Sequence, residues 1–324
     1  MNDYQPHSEL KYRPRWIAPL LRDAAKNHPI VVLTGARQVG KSTLLKQESP
    51  FADWRYITLD DFDVLSQARS DPASLWAGTD YVVLDEVQKS TKLLDAVKVA
   101  VDSNYGKYRF ILSGSANILL MKKVSESLAG RAVYFTLNPM TIGEIDNLPP
   151  INLLETLFKG EMPREKKIES TLSTPFFPMW KGFMPPLMQL ETSAAVLRWW
   201  EGYVTTYLER DLRQLSQIDS LPEFRRLMVA LALRCGQMLN QTEMSRDTGI
   251  SQPTVHRYIN LLETTCLMER LPAFAVNRTK RLIKSPKVMS IDPGLIAFLA
   301  GHYNAGSLQS SREAGGIFES MIYL

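Results

Sequence analysis

Near the N-terminus, Gly35-Ala36-Arg37-Gln38-Val39-Gly40-Lys41-Ser42-Thr43 has the residue types and spacing that phosphate chemistry requires. It fits the pattern G-x-x-x-x-G-K-[ST]. Glycines let such a loop curl so that successive backbone N–H groups point inward at phosphate oxygens. Lys41 can reach the β- and γ-phosphates, and the Ser42 hydroxyl can ligate magnesium. A helix beginning there would add its positive end. Further along, the apolar run Tyr81–Leu84 ends in Asp85-Glu86. A carboxylate at the mouth of a buried strand can hold a magnesium ion through its water shell, the role expected of Asp85. An adjacent carboxylate, Glu86, can orient and deprotonate the attacking water, which favours hydrolysis over phosphoryl transfer to a second substrate.

Two more positions join this constellation as candidates. The run Arg109–Leu112 leads into Ser113-Gly114-Ser115. A hydroxyl at that tip, Ser113 or Ser115, can sense the γ-phosphate, although a small-residue turn reads the same way. Arg131, directly before the run Ala132–Leu137, is either an arginine that stabilises charge in a neighbouring subunit's active site or a surface ion pair.

A second chemistry is written into the charge. The formal net charge is only +4, yet Arg225–Ser290 holds 11 Lys and Arg against 4 Asp and Glu. A concentrated basic segment suggests a polyanionic partner, or else a solvated basic face. Met244–Val255 is laid out as a helix-turn-helix, with Gly249 at the turn, Ser251 as cap and Pro253 in the first turn of the next helix. Val255, Ile259 and Leu262 would then be buried. Gln252, His256, Arg257 and Asn260 face outward, able to contact base edges or phosphates. Arg278, Lys280, Arg281 and Lys284 form a basic loop between two strand-like runs, the place of a wing. Double-stranded DNA is the expected partner; the competing reading is a module for protein contact or oligomer packing.

The elements that must position these groups follow from apolar patterning. Ile30–Leu33, Tyr56–Leu59, Tyr81–Leu84, Arg109–Leu112 and Ala132–Leu137 are short and continuously apolar. That pattern suits parallel strands buried on both faces, with helical spacing between them at Leu93–Val101 and Leu119–Leu128. The chain therefore predicts an α/β domain over 1–145, a proline-rich connector over 146–192, and a mainly helical part over 193–291. Composition excludes other classes. Hydrophobic residues make up 45% of the 324 residues and charged residues 22%, a globular balance. The two cysteines, Cys235 and Cys266, lack ligand spacing and predict neither disulfide nor zinc site. The first ten residues lack an apolar signal region, and no apolar run is long enough to span a bilayer, so a cytoplasmic protein without membrane association is expected.

GARQVGKSTLL, YVVLDEVQKS, RFILSGSAN and ESLAGR resemble the AAA+-type P-loop ATPases found widely in bacteria and archaea as largely uncharacterised proteins. WWEGYVTTYLERDL, SPKVMSIDPGL and GGIFES extend the resemblance over almost the whole chain. It implies a parallel sheet ordered 5-1-4-3-2, ATP and Mg2+ as ligands, Ser113 or Ser115 as sensor, Arg131 acting in trans within a homo-oligomer, a winged helix, and then a restriction-endonuclease-like region. Asp292 and Glu319 stand where a nuclease site would begin, but its lysine and further acidic residues do not follow. Residues 292–324 are thus expected to be the truncated start of that region, without an intact nuclease centre. Asp292 then reads as a turn residue before Pro293-Gly294.

Overall fold

The computed structural model describes residues 12–104, 106–115, 128–150, 153–160, 174–206, 218–274 and 284–324. Five strands, β1 (Ile30–Thr34), β2 (Arg55–Thr58), β3 (Tyr81–Asp85), β4 (Arg109–Ser113) and β5 (Ala132–Thr136), form one sheet ordered β2-β3-β4-β1-β5. Every pairing is parallel, with Ile30 level with Phe110 and Ala132. All five residues of β1 are buried, because helices or further chain cover both faces.

Alternate side chains along each strand enter two different cores. Ile30, Val32, Val82, Leu84, Phe110 and Leu112 pack with one face of helix α4 (Thr91–Ser103), which follows α3 (Phe62–Ser70), through Leu93, Leu94, Val97 and Val101. Val31, Leu33, Val83 and Ile111 pack on the other side with Leu21, Ala24 and Ala25 of helix α1 (Ala18–Asn27). Parallel strands send their C-terminal ends to one edge of the sheet. Thr34, Asp85 and Ser113 therefore come together there, and helix α2 (Lys41–Gln47) starts just beyond.

The second core does not stop at the α/β part. It runs on into Met179, Trp180, Phe183, Met184 and Leu187, and then into the helices that follow. Sequence patterning suggested a connector over 146–192; its second half is instead packed interior. Helix α5 (Phe176–Lys181) lies against helices α6 (Pro293–Leu299) and α7 (Ala305–Gln309), and the Trp180 indole N–H donates to the His302 carbonyl at 2.9 Å. Prolines marked this stretch as a linker, but their neighbours are aromatic and bury well.

Three helices, α8 (Leu221–Ala232), α9 (Gln241–Thr248) and α10 (Gln252–Thr264), precede an antiparallel pair, β6 (Met268–Leu271) and β7 (Lys287–Ser290). The local signals act as expected. Gly249 turns the chain at φ 69°, and the Ser251 hydroxyl accepts from the Thr254 N–H with Pro253 in the first turn. Val255, Tyr258, Ile259 and Leu262 are buried, with Tyr258 edge-on to Phe224.

Asp292 departs most from its expected place. It is fully buried, caps α6 by accepting from the Gly294 N–H at 2.8 Å, and accepts from the Phe183 N–H at 2.9 Å. A methyl group on Gly182 would come within 2.5 Å of its carboxylate, so only glycine fits at that φ of 90°. Glu319, on the final helix Ala314–Tyr323, is ion-paired with Lys287 instead of facing Asp292.

Candidate active site

Gly35 leaves β1 at φ 147° and sits so close to the Leu137 carbonyl that an added Cβ would lie 2.3 Å from it. Gly40, at φ 95°, hands the loop to α2. Ala36 and Val39 are buried, whereas Arg37 and Gln38 are exposed, Gln38 in the left-handed region. The Tyr203 hydroxyl reaches the Arg37 carbonyl at 3.4 Å, and Pro185 lies against Gly40. The packed second core thus touches the phosphate loop directly.

Lys41 is buried, and its ammonium donates to the carbonyls of Gly35 and Ala36 at 3.1 and 3.0 Å. Burial pulls its pKa below the usual lysine range, against the attraction of Glu86 and Asp85. The Ser42 hydroxyl donates to Asp85 Oδ2 at 2.8 Å, while Thr43 follows it as an exposed residue on α2. Asp85 also accepts from the Tyr56 hydroxyl, and Lys46 lies over the Tyr56 ring at 4.4 Å. A hydroxyl facing a buried carboxylate is the donor set that octahedral magnesium takes from a protein when it keeps several waters. Glu86 is next in sequence, half-buried, and its pKa is pushed up first by burial and then by Asp85 and Asp60. A carboxylate with raised basicity suits a general base.

Ser113 and Ser115 are both buried at the tip of β4. Among the described residues the Ser113 hydroxyl has no hydrogen-bond partner, whereas Ser115 accepts from Gln88 at 3.3 Å. Lys41, Ser42, Asp85, Glu86 and the two serines therefore gather at one sheet edge. Arg131 does not. It precedes Ala132, which is level with Ile30 at the start of β1, so it lies at the opposite edge of the sheet. There its guanidinium pairs with both oxygens of Asp102, one at 2.8 Å.

Arg15 is the residue that sequence reading missed. Buried, it donates to the carbonyls of Val39 at 2.8 Å, Asn138 at 2.6 Å and Pro139 at 3.1 Å, and pairs with buried Glu144 at 3.0 Å. One side chain ties the phosphate loop to the segment after β5. Its arginine fork fits three carbonyls and a carboxylate, but nothing near Arg15 in sequence marks them.

The residues proposed for nucleic acid also have definite places. Gln252, His256 and Arg257 are exposed on α10, and Asn260 is half-buried beside them. His256 bonds Gln241 at 3.2 Å and Asn260 at 2.9 Å, and Arg257 pairs with Asp219 at 2.5 Å. Lys284 is exposed just before β7; Arg278, Lys280 and Arg281 lie outside the described residues. No group of three or more His, Cys, Asp or Glu able to hold a metal occurs among the described residues. Among the same residues no helix is long and apolar enough to cross a membrane.

Residues 27–146 match the family model described as an AAA domain, and residues 177–305 match one described as a domain of unknown function (DUF8612). Uncharacterized proteins of Mycobacterium tuberculosis and Mycobacterium bovis are each 29% identical over 308 residues. The alignment covers 94% of this chain and 64% of each relative, so the chain spans just under two thirds of their length. Among solved structures, a Walker-type ATPase of Pyrococcus abyssi is similar with a TM-score of 0.56 and 17% identity, over 90% of this chain and 99% of that one. The AAA match and the shared fold support a P-loop AAA-type ATPase fold. The second match runs from α5 across α8, α9, α10 and α6 to the first residue of α7, over both boundaries drawn from sequence at 192 and 291.

Proposed function

We propose that the chain is a magnesium-dependent ATPase whose α9–α10 unit, with the hairpin after it, is a winged helix that binds duplex DNA. The observation that carries the ATPase reading is the Ser42 hydroxyl facing Asp85 at 2.8 Å, with Lys41 next to Ser42 and Glu86 next to Asp85 along the chain. Ser42 and, through water, Asp85 would hold magnesium, which when bound neutralises charge on the β- and γ-phosphates. Lys41 leaves its two carbonyls to bind the same oxygens. Glu86 takes a proton from water as the water oxygen bonds to the γ-phosphorus. The bridging P–O bond then breaks with its electron pair leaving on ADP.

Support for the DNA reading is the exposed row Gln252, His256 and Arg257 on the helix that follows the Gly249 turn, with Lys284 at the foot of the hairpin. A protein-contact role is favoured by a different observation. Arg257 is held by Asp219, and an apolar groove of about 610 Å³ runs along α8, lined by Leu221, Val229 and Leu233 and edged by Arg226. ATP turnover measured with and without duplex DNA at two salt concentrations separates the two. DNA reading predicts binding that weakens steeply with salt and stimulates turnover. Absence of duplex binding even at low salt assigns the unit to protein contact.

A further inference from the structure

Glu86 has a close neighbour to which the reaction just described gives no role. The backbone at Glu86 is left-handed, φ 57° and ψ 37°, a conformation uncommon for a residue with a side chain and concentrated at functional sites. The tight turn Val87–Lys89 that follows brings Gln88 back over it. Gln88 Nε2 donates to Glu86 Oε2 and, at 3.3 Å, to Ser115 Oγ. One amide nitrogen thus uses both its hydrogens to span the ends of β3 and β4. At the ends of the same two strands, two buried polar atoms have no hydrogen-bond partner among the described residues, Gln88 Oε1 and Ser113 Oγ. Buried polar atoms are rarely left unpaired, and those that are mark places where a ligand or water completes the network.

We propose that Gln88 is a positioning residue for hydrolysis, orienting the Glu86 carboxylate and linking it to Ser115. The proposal rests on the reading of Glu86 as the group that activates water. Holding one carboxylate oxygen fixes the plane of the carboxyl group, so that the other meets the water in one orientation. The bond to Ser115 joins that orientation to the strand tip where the γ-phosphate would be sensed. A space-filling role for Gln88 would be met equally well by methionine, which has similar length and no donor.

The test measures kcat, KM and affinity for a fluorescent ATP analogue in wild type, Gln88→Met, Glu86→Gln and the double variant. Gln88→Met is expected to lower kcat roughly 10- to 100-fold, as a misplaced catalytic group does, with analogue affinity unchanged. Adding it to Glu86→Gln is expected to cost nothing further, because the two act as one unit. A wild-type kcat in Gln88→Met overturns the proposal, as does a full additional loss in the double variant or a loss of nucleotide affinity that accounts for the whole effect. Failure of the parent reading looks different: Glu86→Gln itself would then turn over at the wild-type rate.

Discussion

Arg15 shows how a single side chain outside the motif can set the motif's shape. Its guanidinium reaches Val39, 24 residues away, and Glu144, 129 residues away. Arg15→Met would leave Glu144 buried without its counter-charge and three carbonyls without a donor. The expected cost is about 3–5 kcal/mol of stability by denaturant unfolding, with weaker nucleotide binding in whatever remains folded. Lys41→Ala acts differently: it should weaken nucleotide binding in calorimetry and leave the unfolding midpoint close to wild type, since among the described residues the Lys41 ammonium bonds only to its own loop. This contrast explains what the sequence could reveal. Gly35 to Thr43 and Asp85-Glu86 are legible because each group's chemistry depends on its immediate neighbours. Arg15 and Tyr56 are not, because their partners are brought to them only by the fold, and Gln88 is legible only in part: Glu86 is two residues away, but Ser115 is reached across the sheet.

The central strands β1, β3 and β4 were legible as elements because burial on both faces leaves a continuous apolar run. The edge strands β2 and β5 carry such a run without that burial, and α9–α10 were legible because Gly249 and Ser251 carry their own turn and cap. Helix α5 was hidden by its prolines, and Asp292 by the glycines around it, since Gly182 and Gly294 look like turn residues until they are seen in contact. In place, Asp292 ties α6 to Phe183, and full burial pushes its pKa up to about 7, against the backbone N–H groups that pull it down. The unfolded carboxyl titrates near 3.8. Between these values the folded state keeps a proton that the unfolded state has released. Stability from this group is therefore largest at low pH and falls as pH rises from about 4 to 7. Asp292→Asn should flatten that part of the stability curve, and Gly182→Ala should destabilise at every pH. Thermal unfolding across pH 4 to 8 checks both; an unchanged slope in Asp292→Asn would show that the carboxyl does not titrate there.

At the scale of the molecule, the phosphate loop is in contact with Tyr203 and Pro185, so the loop and the helical region share one packed body. Binding of duplex DNA through that region is predicted to follow counterion release. Replacing Lys280 and Arg281 with alanine should flatten the plot of log affinity against log salt by up to about two units. Arg257→Ala should relax sequence preference more than it changes that slope. Arg131 lies on the surface, where a pair with Asp102 contributes little, and we propose that it acts in the active site of a neighbouring subunit. Mixing Arg131→Ala with Glu86→Gln should then restore part of the turnover that each lacks alone, and a specific activity independent of concentration would remove Arg131 from the chemistry. Hydrolysis at the edge formed by β1, β3 and β4 is tested most directly by phosphate release from Glu86→Gln beside wild type at saturating ATP and magnesium. Loss of roughly 10²-fold or more in turnover with ATP still bound is the predicted result. Turnover at the wild-type rate would contradict it and take the water-activating role away from Glu86.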